Sequence, residues 1–115
     1  ATKHLLNKER LAKAKPSLLI VNCARGGIID EEAALEALRS GSIGGLAVDV
    51  LPVEPPKDGH ALLDALANAE PLNLIVTPHN AFNTWEALQR ILDTTIANIR
   101  AFGEGSPTNV VERRK

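Results

Sequence analysis

Four polar side chains, Arg25, Asp49, Glu54 and His79, lie within or just after three short apolar runs, Ser17–Val21 (SLLIV), Leu46–Val50 (LAVDV) and Leu74–Thr77 (LIVT). Their types suit one kind of chemistry. A guanidinium fork donates two parallel hydrogen bonds to a carboxylate. An imidazole exchanges a proton near neutral pH, and a neighbouring glutamate favours its protonated form. Arg25, Glu54 and His79 together fit proton transfer at a substrate that carries a carboxylate beside the reacting centre. Each also has a plain structural use: Arg25 can tie a loop to backbone carbonyls, Glu54 can be a solvated loop residue, and His79 can close a strand end. Three chemically matched residues at three successive run ends weigh against coincidence.

The helices and strands that bring them together are written in the pattern of apolar and punctuating residues. Asn7 is an N-cap for a short helix over about Lys8–Ala14, which Pro16 ends. SLLIV is continuous and apolar, the pattern of a parallel strand buried on both faces. The loop Asn22–Gly27 comes directly after it. Asp30 caps a helix over about Glu31–Ser40, with Gly41 as its C′ residue and Ala34, Leu35 and Leu38 on its sheet side. LAVDV is the next strand, preceded by Gly44-Gly45, where helix and sheet can approach closely. A proline-rich loop over Leu51–Gly59 leads to a short helix near Ala61–Ala67, and LIVT is the third strand. Thr84 caps the longest helix, about 85–102, whose apolar positions fall at spacings of three and four. The order αβαβαβα implies parallel strands, right-handed crossovers and helices on both faces. In such sheets ligands bind outside the carboxyl ends of the strands. Residues 1–115 are read as one α/β domain without internal repeats.

Composition narrows the function classes. Thirteen basic and fourteen acidic residues give a net charge of −1, which argues against a nucleic-acid binder. The apolar fraction of 44% argues against disorder. A lone cysteine, Cys23, leaves no internal disulfide and no cysteine-rich zinc site, and no metal-ligating set is expected. Cys23 reads as a packed thiol, and His4 and His60 as surface residues without convergent partners. No apolar run approaches the roughly 20 residues that cross a bilayer, and no signal-peptide pattern opens the chain. A cytoplasmic protein without membrane partners is expected. Neither G-x-G-x-x-G nor a P-loop occurs, so Gly26-Gly27 is not a phosphate-binding fingerprint.

The run Val21-Asn22-Cys23-Ala24-Arg25-Gly26-Gly27-Ile28-Ile29-Asp30-Glu31 resembles a signature of the D-isomer-specific 2-hydroxyacid dehydrogenases. The likeness continues through Glu36-Ala37-Leu38, Gly41, Ala47-Val48-Asp49-Val50, Glu54-Pro55 and Thr77-Pro78-His79, and so covers nearly the whole chain. The resemblance implies that Arg25 holds a substrate carboxylate and that His79 is the acid/base, its charge supported by Glu54. It implies that Asp49 meets the nicotinamide carboxamide, while the backbone around Cys23 and Ala24 lines the nicotinamide pocket beside Arg25 and His79.

The chain resembles the carboxyl-terminal half of that family's NAD-binding domain plus a final helix, a partial Rossmann-like layer of three parallel strands. The glycine-rich turn and the acidic ribose residue have no counterpart in it. Ala1 is then a processed start or a cut within something longer. The resulting expectation is an NAD- or NADP-dependent oxidoreductase of 2-hydroxy or 2-oxo acids in truncated form, holding the cofactor weakly and inactive alone. The alternative is a non-catalytic module that self-associates or regulates relatives. A third reading is corepression of transcription, which one branch of the family performs. An uncharged strand edge at SLLIV and the apolar stripe of the last helix predict a homo-oligomer.

Overall fold

The structure, a computed structural model, describes residues 2–57 and 59–111. It divides into two compact units, Ala1–Ala81 and Phe82–Lys115. In the first, α1 (Lys8–Leu11) starts at Asn7, whose side chain accepts from the Arg10 N–H at 3.0 Å. It stops short of Ala14 because Lys13 and Ala14 bond back three residues, to Arg10 and Leu11, and tighten the turn. α2 (Glu31–Arg39) starts at Asp30, which accepts from the Ala33 N–H at 3.1 Å. α3 (Ala61–Ala67) has the expected bounds.

Three parallel strands, β1 (Leu19–Asn22), β2 (Gly45–Val48) and β3 (Leu74–Val76), lie in the order β1-β2-β3. Ile20 pairs with Leu46 and Val48 with Val76. The core joins Ile20, Leu46, Val48 and Leu74 of the sheet to Leu35 and Leu38 of α2, Leu62 of α3 and Leu11 of α1. Burial on both faces of the first strand is not what the structure shows. Ile20 and Asn22 are buried, but Leu19 and Val21 are exposed, as is Ile75 of β3. α1, α2 and α3 join the core on one face, so the first unit covers its sheet on that side only.

Gly44 and Gly45 do permit a close approach, but to strand-level neighbours rather than a helix. A Cβ there would meet Pro16, Ser17, Leu19 and Asn73. Between β1 and α2 the chain makes a single 3₁₀ turn, Gly26–Ile28. The second unit is built on α4 (Trp85–Gly103), capped by Thr84 through the Ala87 N–H. Asn98 of α4 accepts from Thr108 and Asn109, which folds the segment after the helix back along it. No helix among the described residues is long and apolar enough to cross a membrane.

Candidate active site

The carboxyl ends of β1, β2 and β3 present Arg25, Asp49, Glu54 and His79. Asn22, the last residue of β1, is buried and organises the loop after the strand. Its side chain accepts from the Ala24 N–H at 3.1 Å and donates to the Arg25 carbonyl at 3.0 Å. Cys23, Ala24 and Arg25 are thereby held as an exposed loop. Cys23 is thus an exposed thiol, not a packed one, because Asn22 takes the inward position. Gly26 lies so close under Leu51 and Pro52 that any Cβ would collide with their backbone, which fixes this loop against the one after β2.

Asp49 comes just after β2 and is almost fully buried, 4% exposed, with every acceptor bond internal. Its Oδ1 accepts from the Thr77 hydroxyl and the Asn80 N–H, and its Oδ2 from the Ala81 N–H, the last two at 2.9 Å. The Thr77 bond most strongly pulls the carboxyl below its ordinary value; desolvation opposes this, and the two backbone N–H groups reinforce it. Asp49 therefore clamps the turn that carries His79 to the end of β2. His79 itself has φ of +54°, a left-handed conformation costly for a non-glycine residue.

His79 Nδ1 meets Glu54 Oε2 at 2.5 Å, both side chains partly exposed. Glu54 Oε1 accepts from the Leu51 N–H at 2.6 Å, so both of its oxygens are engaged. The bond from His79, and after it that from Leu51, hold the Glu54 carboxyl below its usual range. An ionised Glu54 requires Nδ1 to carry the hydrogen, which leaves Nε2 without a partner among the described residues. Arg25 does not join this pair by a hydrogen bond; its guanidinium donates to the Ala24 carbonyl at 2.6 Å.

Two hollows adjoin these groups. One of about 380 Å³ is bounded by Asp49, Glu54, Pro55, Thr77 and His79. Another of about 260 Å³ is bounded by Val21, Cys23, Ala47, Asp49, Ile75 and Thr77. The second has an apolar floor between strand ends with a cysteine and a threonine at its rim, which suits a flat, weakly polar ring.

The matched family description is the D-isomer specific 2-hydroxyacid dehydrogenase NAD binding domain, over residues 1–81, the bounds of the first compact unit. The chain belongs to this family. It is 49% identical over 111 residues to a glycerate dehydrogenase of Methylorubrum extorquens, covering 96% of the chain and 34% of that protein. A D-3-phosphoglycerate dehydrogenase of Bacillus subtilis is 46% identical over 106 residues, covering 92% of the chain and 19% of that protein. A D-lactate dehydrogenase of Aquifex aeolicus, solved with NAD and lactic acid, superposes with a TM-score of 0.77 at 32% identity, covering 91% of the chain and 34% of that one. The chain thus spans about a third or less of these relatives' lengths.

Asn22 and Thr77 are the structural residues that sequence reading passes over, although each is a short polar side chain where an apolar strand ends. His60 is not at the surface, contrary to expectation. Its Nε2 lies 2.7 Å from Glu31 Oε2, and both side chains are largely buried. His4 is half-exposed, with Nδ1 3.9 Å from Asp30.

Proposed function

We propose that this chain forms the nicotinamide-side half of an NAD- or NADP-dependent oxidoreductase of 2-hydroxy and 2-oxo acids. The Glu54–His79 pair carries the proposal, because it leaves the imidazole Nε2 without a partner among the described residues, at a hollow that both side chains line. NAD(P), when bound, supplies or takes up the hydride at the substrate's α-carbon. In the reducing direction His79 gives its Nε2 proton to the carbonyl oxygen; in the oxidising direction it takes the hydroxyl proton. Glu54 orients the ring and steadies the positive charge through Nδ1. Arg25 holds the substrate carboxylate, a role favoured by an exposed guanidinium with most of its N–H groups uncommitted among the described residues. Asp49 spends its bonds on Thr77, Asn80 and Ala81, so its contribution is to hold the His79 turn and to offer Oδ2 toward a carboxamide.

Residues 1–115 contain no glycine-rich turn at a helix N-terminus to take a pyrophosphate, so by themselves they hold NAD in the millimolar range or weaker and turn over no substrate. Titration calorimetry tests the first point, and micromolar affinity would overturn it. The catalytic reading is tested by a chimaera that joins this chain to the amino-terminal remainder of the Methylorubrum extorquens glycerate dehydrogenase. NADH-dependent reduction of 2-oxo acids supports it; a chimaera that binds NADH without turnover sinks it.

Leu19, Val21 and Ile75, exposed together on one sheet face, favour a second reading, in which the chain alone self-associates through that face or the outer edge of β1. The exposed Ile91, Leu92, Ile99 and Phe102 of α4 offer a separate apolar stripe. Light scattering at low micromolar concentration should show a dimer or larger; a stable 12.3 kDa monomer removes this reading.

A further inference from the structure

The loop after β2 carries Glu54; Leu51 packs on the core and Pro52 lies over Gly26, but the described residues that follow are little packed. Pro52, Val53, Glu54, Pro55, Lys57 and Gly59 are all exposed. Beside it lies a cavity of about 580 Å³, with Pro52, Pro56 and His60 on one wall and Ile29 and Glu31 on the other. Among the described residues, two side-chain bonds join this loop to the rest of the chain. One is Glu54 to His79. The other, at the loop's far end, is the bond between His60 and Glu31, whose side chains are 13% and 7% exposed.

Burial is the main influence on the Glu31 carboxyl and raises it, while the charge of His60 and its bond oppose the rise. Glu31 Oε1 and His60 Nδ1 are buried without a hydrogen-bond partner among the described residues. Apolar residues of similar volume often replace a buried ion pair without loss of stability, so what such a pair adds is direction. His60 is the residue before α3, and it makes no cap bond to that helix with its side chain. The side chain goes to α2 instead. The other titratable and charged groups on the cavity are His4, Asp30, Glu32 and Lys57; Asp30 caps α2 and Lys57 is on the loop itself.

We propose that His60 and Glu31 are positioning residues for the Glu54–His79 pair: their buried bond anchors the far end of the loop and so keeps Glu54 within reach of the imidazole. This rests on reading Glu54–His79 as the acid/base pair. The test uses the 115-residue chain and two reporters of where Glu54 sits. These are the titration of the Glu54 side-chain carboxyl, monitored by carbon NMR, and hydrogen exchange of the Leu51 N–H that Glu54 accepts.

His60→Ala should move the Glu54 carboxyl up toward its ordinary value. It should also speed Leu51 exchange about tenfold, the equivalent of one lost hydrogen bond. Glu31→Leu with His60→Phe, which leaves no unpaired buried charge, should do the same with the amides of Ile20, Leu46 and Val48 still protected. Leu62→Ala injures the core of α3 without touching the pair and should leave both reporters in place. Unmoved reporters in the double variant, or equal movement in Leu62→Ala, overturn the proposal. His79→Gln separates the two levels. If it shifts the Glu54 carboxyl while the pair variants do not, only the anchoring role fails. If it does not shift it, the acid/base reading fails and the anchoring role with it.

Discussion

Glu54–His79 and Glu31–His60 join the same two residue types by the same kind of bond, at 2.5 and 2.7 Å, in opposite surroundings. The first is half-open to solvent at the strand ends, and Glu54 has its second oxygen on a backbone N–H. Its carboxyl is held low by hydrogen bonds. The second is largely buried between a loop and α2 on the wall of the larger cavity, with one oxygen and one ring nitrogen unpartnered among the described residues, and burial raises its carboxyl. The open pair can therefore hand a proton to a ligand, while the remaining polar atoms of the buried pair are covered from solvent. Residue type alone does not separate them; access and the second hydrogen bond do.

The largest expected effect breaks this contrast at the open pair. In a protein carrying the complete cofactor domain, His79→Ala should lower kcat/KM by about 10²–10⁴-fold, the usual worth of a general acid/base. Glu54→Gln should cost less, since the imidazole keeps a hydrogen-bonding partner. His60→Ala should cost less again, acting only through the placement of Glu54. Steady-state kinetics on 2-oxo acids ranks the three, and a His60 effect as large as that of His79 would erase the distinction. Stability should reverse the ranking. His60→Ala strands Glu31 in a buried site and should destabilise by about 3 kcal/mol in urea unfolding, whereas exposed pairs contribute little.

The reversal also shows what a sequence discloses. Helix starts are legible because the cap is local: Asn7, Asp30 and Thr84 each accept a backbone N–H from three residues on. The open pair is legible because β2 and β3 are neighbours and both residues lie just past strand ends. Glu31–His60 is not, because nothing near His60 in the chain signals that α2 passes beside it. Nor does an apolar run such as SLLIV report which of its faces has cover. Ile20 found a helix layer and Val21 did not. The role of Thr77 is hidden similarly, since its partner Asp49 belongs to another strand end.

Acidity sharpens the comparison, because the two glutamates are displaced in opposite directions. Glu31 is raised, so its share of stability is complete below the ordinary glutamate value of 4.5 and fades as pH rises through its folded value. Glu54 is lowered, so its share is complete above 4.5 and fades as pH falls through its folded value. Glu31→Gln stays neutral and should gain on the unaltered chain as pH is raised above 4.5. Glu54→Gln should instead lose ground as pH is raised from strongly acid solution up to that value. Urea midpoints across the acid range give both slopes. Parallel slopes would mean that the two environments do not differ as described.

The smallest effect is expected at a third ion pair that has better geometry than either. Arg39 at the end of α2 reaches Glu70 ahead of β3 with two bonds, Nε to Oε2 at 2.8 Å and Nη2 to Oε1 at 2.5 Å. The Arg39 bond is the chief reason that the Glu70 carboxyl lies below its ordinary value. Yet Arg39 is half-exposed, and solvent already satisfies both groups when they part. Arg39→Ala should therefore shift the melt only slightly at low ionic strength, and the shift should vanish near 1 M salt, where screening acts over about 3 Å. The His60→Ala deficit should persist in the same salt, because largely buried pairs are screened much less. If both deficits fade together, burial is not what sets Glu31–His60 apart from Glu54–His79.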